Sequence, residues 1–450
     1  MRDVIEAALR GHEAQYIEVR VEENEATRIA YRGREVEDIG RTVNRGGSVR
    51  VLAGGGWGFV SFNSLDGLAG RVAAAVQQAH FAAGEPVTLA AAPPVQDTVA
   101  AVIQKDPRTV SLADKKRLLD EYNGIVLATG GIQSANIAYG DAFRRVTFAS
   151  SEGSYVEQSR VEATLRVAAV ARKDGDVQQS GFSLGRQGDF AFVEGLHGLV
   201  GETAQRAVDT LAAPKVKGGE YTVVLDPVLA GVFCHEAFGH LSESDFVYEN
   251  PRMQEIMVLG RRFGQPILNI VDGAAIPGLR GSFRYDDEGV AAQRTDLIRE
   301  GVLVGRLHSR ETAGKMGERP TGNARALDYR FPPIVRRTNT IIEPGEASFD
   351  DLLAGGDEGV YVKNWYGGQT SMEMFTFSAG EAYMIRNGRV AEMVRPVKLS
   401  GNIFSTLLNV DAIGNDLDIN QGGGCGKGGQ SPLPVSNGSP HIRIRHCLVG

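Results

Sequence analysis

Seven consecutive residues near the start of the chain, Tyr16-Ile-Glu-Val-Arg-Val-Glu22, alternate between apolar and polar without a break. Alternation of period two buries one face of a strand and wets the other, so this chain must build a sheet with a cover on one side. The cover is predicted from the flanks. Residues 2–10 place Val4, Ile5, Ala7, Ala8 and Leu9 at the spacing of one helical face, and 64–82 reads as a second helix. Between them lie strand-like runs near 25–33 and 47–53. Gly54-Gly-Gly-Trp-Gly-Phe59 is a tight turn into a further strand.

The same order then recurs. A connector at 83–108, marked by Pro86, Pro93, Pro94 and Pro107, leads to a predicted helix at 111–128. Strands follow at 132–139, 144–150 and 154–172, and a helix at 189–212 ends before Pro214. Helix, strands, helix thus occurs twice, the pattern of an internal duplication whose copies share little sequence. Pro214-Lys-Val-Lys-Gly-Gly219 is the expected boundary between domains 1–216 and 217–450. The second half opens with a strand, Tyr221–Leu225, and one short helix. Beyond 265 it reads as short strands between Gly, Pro, Asn and Asp turns, with short helices near 311–316 and 348–354. The expected fold class is α+β: an N-terminal domain of helices and antiparallel strands, then a mostly-β, barrel-like domain carrying the helix described next.

Composition excludes several functions. A formal net charge of −7 over 450 residues and a pI near 5.7 leave no concentrated basic surface for a nucleic-acid partner. No run of 18 apolar residues offers a membrane span, and Glu6 and Arg10 interrupt what a signal peptide would need. Three cysteines, Cys234, Cys425 and Cys447, cannot frame a disulfide scaffold, so the cytoplasm is the expected location.

The chemistry concentrates in Phe233-Cys-His-Glu-Ala-Phe-Gly-His240. Asp226-Pro227, just after a strand, supplies an N-cap with proline at the first helical position, which sets the His-Glu pair within a helix. Zinc helices of the H-E-x-x-H kind place histidines at i and i+4. Here the spacing is i and i+5, which on an α-helix leaves the two imidazoles roughly 140° apart. They meet at one metal only if the helix widens to π geometry or ends near Gly239. A third ligand must come from downstream, where His308, Cys425, His441, His446 and Cys447 are candidates. Cys425 lies in Gln421-Gly-Gly-Gly-Cys-Gly-Lys-Gly-Gly-Gln430, whose glycines allow close approach, and Lys427 is expected to favour its thiolate. Cys234 should point about 100° from His235 into the core, and Cys447 is expected on an exposed final strand beside Arg443, Arg445 and His446. The glycine loop is no phosphate cradle, because Gln421 and Gly428 stand where a Walker A needs Gly and Ser or Thr. No G-x-S-x-G supports a serine hydrolase.

His235-Glu-Ala-Phe-Gly-His240, followed by Glu243 and Asp245, resembles the signature of the TldD/PmbA metalloprotease family in its TldD-type catalytic branch. So do Arg280-Gly-Ser-Phe-Arg-Tyr-Asp-Asp-Glu-Gly289, Pro320-Thr-Gly-Asn-Ala-Arg325 and Cys425-Gly-Lys-Gly-Gly-Gln430, in the same order, with Glu18-Val-Arg20 and Trp57-Gly-Phe59 near the start. Leu241-Ser242 stands where the family often has Gly-Leu before the glutamate. The resemblance implies a zinc-dependent peptidase acting on unfolded proteins and peptides, in degradation or peptide maturation. It implies His235, His240 and Cys425 as Zn²⁺ ligands and Glu236 as the base. It also implies a dimer, with a PmbA/TldE-like subunit or with itself, whose halves enclose the site. Glu243 and Asp245 are candidates for orienting the imidazoles. The competing reading is a non-catalytic regulator or assembly factor that holds a partner protein. Its structural zinc would be closed by a fourth ligand such as Cys447 or His446, and it would have no use for Glu236.

Overall fold

The computed structural model describes residues 1–355, 358–371, 373–420 and 422–450, so Gly356, Asp357, Met372 and Gln421 lie outside the described residues. The first half of the chain forms one sheet. Its strands are β1 (Tyr16–Arg32), β2 (Glu35–Ala53), β3 (Gly56–Phe62), β4 (Gln96–Val99), β5 (Ile132–Ser150), β6 (Tyr155–Lys173) and β7 (Asp176–Gln187). The order is β3-β2-β1-β5-β6-β4, with β7 also on β6. Helices α1 (Arg2–Ala8) and α2 (Leu68–Phe81) cover one part of it, and α3 (Leu112–Ala128) and α4 (His197–Ala212) cover the other. The repeated order read from the sequence is therefore two helix–meander–helix units, joined where β1 and β5 pair antiparallel from Glu18↔Ser150 to Arg32↔Asn136.

Several boundaries differ from those expected. The runs at 16–22 and 25–33 are one strand. β2 begins at Glu35 because its first residues are exposed on both faces and hold their place by pairing with β1 rather than by burial. The 83–108 connector contains β4, which runs parallel to β6. α4 starts only at His197, since Gly195 at φ +71° breaks the helix before it. Along β6 the odd residues Val161, Ala163, Leu165 and Val167 are fully buried, and from Ala163 on they pack beneath α3 and α4. Gln158, Arg160 and Glu162 face the other way, toward the second half of the chain.

In that second half, β8 (Gly219–Leu225) pairs with Glu358–Ser371 on one side and Ile442–Val449 on the other. Lys398–Asn402 and Met374–Arg386 complete a closed five-strand barrel. A second sheet, built on Ile270–Gly273, Asn339–Ile342 and Ser436–Ser439, packs beside it. Helix α5 (Pro227–Cys234) leaves β8 directly and buries nearly every side chain in the barrel core. Phe233 meets Phe375 and Phe377 edge-on at 5.5 and 6.2 Å. Removing a ring so placed costs about 3–5 kcal/mol, so α5 is rigidly seated. The expected helices near 311–316 and 348–354 are Arg310–Met316 and Phe349–Ala354. Short helices at Ser244–Glu249, Pro251–Ile256 and Ile403–Leu408 were not expected. Among the described residues no helix is long and apolar enough to cross a membrane.

The two halves are joined by polar contacts, several of them from the motif stretches. Arg50 reaches Glu288 at 2.8 Å, Arg20 lies 3.5 Å from Asp287, and the Trp57 indole donates to Glu311 at 2.9 Å.

Candidate metal centre

The site starts with the capping of α5. Asp226 accepts the Leu229 N–H at 2.8 Å, and the same carboxylate accepts the Asn364 N–H at 3.2 Å, tying the helix start to a barrel strand. One residue past Cys234 the α-helical hydrogen bonding gives way. His235–Gly239 is a π-turn and His240–Ser242 a 3₁₀ turn. In π geometry residues five apart come one turn apart, which brings both imidazoles to one side, with ring centroids 5.8 Å apart. The i, i+5 spacing thus finds its partner geometry in the widened turn.

Cys425 arrives on the hairpin Gly424–Lys427 and Gln430–Pro434. Arg336 holds that hairpin, donating to the Cys425 carbonyl at 2.8 Å and the Gln430 carbonyl at 3.2 Å. The donor atoms of His235, His240 and Cys425 all lie within 4.8 Å of one another. A tetrahedral metal with two nitrogen ligands and one sulfur would need separations of roughly 3.4–3.6 Å, about 1 Å below this upper limit.

Arg337 organises the charge. It is fully buried. Its guanidinium donates to the His235 carbonyl and to Cys425 Sγ at 2.7 Å and contacts His240 Nε2. Burial alone would raise the Cys425 thiol, but Arg337 and both imidazoles pull it down to about 2, so Cys425 stands as a thiolate. The cation beside the sulfur is therefore Arg337. Lys427, expected in that role, bonds instead to Asp245 at 2.6 Å and Glu243 at 3.0 Å. Burial and Arg337 lower the His235 pKa, keeping it neutral, the form that binds metal. Burial and Arg337 also act to lower His240, but Cys425 and Glu243 outweigh them and raise it.

Glu236, a quarter exposed at its side chain, has a carboxylate oxygen 3.9 Å from His240 Nε2. Glu243 is buried and accepts from His240 Nδ1 at 3.1 Å, fixing the ring so that Nε2 faces the other donors. Despite burial, Lys427, His240 and Arg337 hold Glu243 well below the usual carboxylate range. Asp245 touches Lys427, and no contact joins it to either imidazole among the described residues. One ring nitrogen of His235, Nδ1, is buried with no hydrogen-bond partner there. Two imidazoles and a thiolate, with an unsatisfied buried nitrogen among them, fit a divalent metal.

The other candidates lie elsewhere. His308 is bonded to Glu318 and Thr312, and His441 to Asp416 and Tyr361. His446 is on Glu220, so neither it nor Cys447 closes the site as a fourth ligand. Cys234 packs in the core. Cys447, expected to be exposed, is buried in the barrel, because a bulge at His446 (φ +55°) shifts the strand's phase and turns the thiol inward. Arg337 went unread in the sequence. Its only signal was an Arg-Arg pair inside the otherwise strand-like run from Ile334 to Ile342.

Known proteins resemble this chain over nearly its whole length. Residues 17–83, 105–211 and 218–450 match the PmbA/TldA metallopeptidase domain 1, central domain and C-terminal domain. A metalloprotease of Synechocystis is 50% identical over 440 residues, covering 97% of this chain and 95% of that one. A Saccharolobus solfataricus protein named zinc metalloprotease TldD homolog is 31% identical over 418 residues, covering 92% and 91%. Two solved structures share the fold. One is a Thermotoga maritima protein described as a candidate modulator of a DNA gyrase, with TM-score 0.78, 19% identity and 96% of each chain covered. The other is TldE of Thermococcus kodakarensis, with TM-score 0.75, 17% identity and 100% and 99% covered. The chain therefore belongs to the PmbA/TldD family and is a metallopeptidase.

Proposed function

We propose that this metallopeptidase is zinc-dependent and cleaves unfolded proteins and peptides, with His235, His240 and Cys425 holding the metal and Glu236 acting as base. The observation that carries the reading is the convergence of the three donors within 4.8 Å, with Glu236 on the same turn and no fourth protein ligand among the described residues. A zinc ion held there would supply Lewis acidity toward water and a scissile carbonyl. Glu236 takes the proton of the attacking water and passes it to the leaving amine. Glu243 keeps His240 in the tautomer that presents Nε2, and Arg337 keeps Cys425 ionised. Asp245 acts one step further out, positioning Lys427. The zinc named for the Saccharolobus relative supports the choice of metal.

An extended peptide is proposed to bind along the strand Glu358–Ser371. Beyond Val362 that strand no longer pairs with β8; the Asp226 carboxylate accepts the Asn364 N–H, and no other strand takes this edge among the described residues. Main-chain pairing at a free edge tolerates many sequences, as a peptidase of unfolded chains requires. Residues 1–216 would enclose the substrate and carry dimer contacts, and 217–450 the chemistry. The partner would be a TldE-like subunit or a second copy. Three buried free thiols suit a reducing compartment, so the cytoplasm is the proposed location.

The test is Glu236→Gln. Wild type should cleave an unstructured peptide, lose activity with chelator and regain it with Zn²⁺. The variant should bind one zinc per chain and not cleave. Cleavage at the wild-type rate would remove Glu236 as the base.

A further inference from the structure

A cavity of about 440 Å³ lies where the β5–β6 face meets the loops of the second half. Part of its wall is apolar, with Val99, Val146, Ile276 and Phe283. Arg144, Arg160 and Arg325 also line it. Arg144 and Arg160 stand directly opposite each other on β5 and β6, a pairing that like charges disfavour. Arg144 is compensated, with Glu22 at 2.5 Å and Asp287 at 4.0 Å. The other two are not. Arg325, buried, spends its guanidinium on the main-chain carbonyls of Arg337 and Pro434, which accept hydrogen bonds but bring no charge. The Arg160 guanidinium, half-buried, makes no direct hydrogen bond or ion pair among the described residues, and Glu162 and Asp287 act on it only at longer range. It also lines an adjoining cavity of about 310 Å³ beside Pro432 and Pro434 of the Cys425 hairpin.

The acidic groups nearby are already engaged. Asp287 is shared by Arg20 and Arg144, and Glu162 pairs with Arg280 at 3.5 Å. Asp286 accepts three main-chain N–H groups, and burial next to Glu288 pushes its pKa well up. Burial and the neighbouring cations meanwhile lower Arg160, and push Arg325 down to about 9. A partly desolvated guanidinium with no carboxylate in contact is costly to keep, and an anion entering the cavity relieves that cost.

We infer that Arg160 and Arg325 form a binding site for the carboxylate of a peptide, with the apolar wall receiving a neighbouring side chain. A planar guanidinium fork matches a carboxylate, and the mixed lining matches an amphipathic chain. The choice of a peptide as the bearer of the carboxylate rests on the peptidase reading. The site adjoins the metal centre through Arg325, which grips the carbonyl of Arg337.

The test measures binding by fluorescence anisotropy on chelator-stripped protein, so it does not depend on zinc or turnover. Three N-terminally labelled hexapeptides of alanine and leucine are compared: the free acid, its C-terminal amide, and that amide with one internal glutamate. Wild type should bind a carboxylate-bearing peptide about tenfold more tightly than the plain amide. Arg160→Gln should abolish the ratio, and Arg160→Lys, which keeps the charge without the fork, should reduce it. A gain confined to the free acid assigns the site to the chain terminus. An equal gain for internal glutamate assigns it to acidic side chains. Equal binding of all three peptides, a ratio unchanged in Arg160→Gln, or displacement by phosphate but not acetate would overturn the inference. Hydrolysis by metal-loaded wild type, scored separately, tells a failure of the peptidase reading from a failure of this one.

Discussion

Gly239→Ala sets two physical effects against each other. Gly239 has helical dihedrals, φ −56° and ψ −49°, so alanine meets no backbone strain there. In an ordinary helix the exchange would stabilise by about 0.5–1 kcal/mol. Here the added Cβ would lie 2.6 Å from Cδ of Arg337 and 3.1 Å from its Nη1. That side chain cannot swing aside. It is fully buried, and its far end is held by the His235 carbonyl, His240 and Cys425. Overpacking of this kind costs about 1–3 kcal/mol, and each charge-assisted hydrogen bond lost in relieving it adds about 1.5–3. The net expectation is a loss of about 1–4 kcal/mol. Urea unfolding of chelator-treated protein, followed by the fluorescence of Trp57 and Trp365, would measure it, with zinc content of the untreated variant as the second readout. A variant as stable as wild type, or more stable, would refute the claim that Arg337 is pinned against this turn.

Two further predictions follow from the same site. Cys425→Ser should release metal and abolish peptide cleavage, while Cys234→Ser and Cys447→Ser keep one zinc per chain; full zinc occupancy in purified Cys425→Ser protein would remove it as a ligand. Glu243→Gln should destabilise by about 3–5 kcal/mol at neutral pH, because Lys427 and Arg337 lose a buried counter-charge. Since the folded-state pKa of Glu243 is depressed, its contribution is full above the unfolded value near 4.5 and is lost as pH falls below that. The gap between wild type and variant in urea titrations should therefore narrow below pH 4.5; a gap constant from pH 7 to 3 would contradict the assignment.

The parts legible from sequence were those with local causes. Asp226-Pro227 announces a helix start by its own capping chemistry, and Tyr16–Glu22 announces a strand by alternation. The histidine spacing carries more, because i, i+5 is incompatible with one metal on an α-helix and so demands a widened or broken turn. What stayed hidden depends on distant partners. Strand β7 opens with Asp176-Val-Gln-Gln-Ser-Gly181, a polar run without alternation, and is held by its register along β6. Arg337 reads like any charged residue until the fold buries it against Cys425. Cys447 shares the parity of Arg443 and Arg445, and only a one-residue bulge, invisible to periodicity, turns it the other way.

The closed barrel also bears on when activity can arise. β8 and α5, with the His-Glu-His turn, leave the ribosome early in the second half, but β8 needs Ile442–Val449 as its neighbour, with Leu225 opposite Ile442. At about 5–20 residues per second, roughly 10–40 s of synthesis separate the two strands. During that interval the barrel has a gap in its wall and α5 lacks part of its packing. The Cys425 hairpin is also late. Peptidase activity therefore waits on near-completion of the barrel, a built-in delay against cutting neighbouring chains during translation.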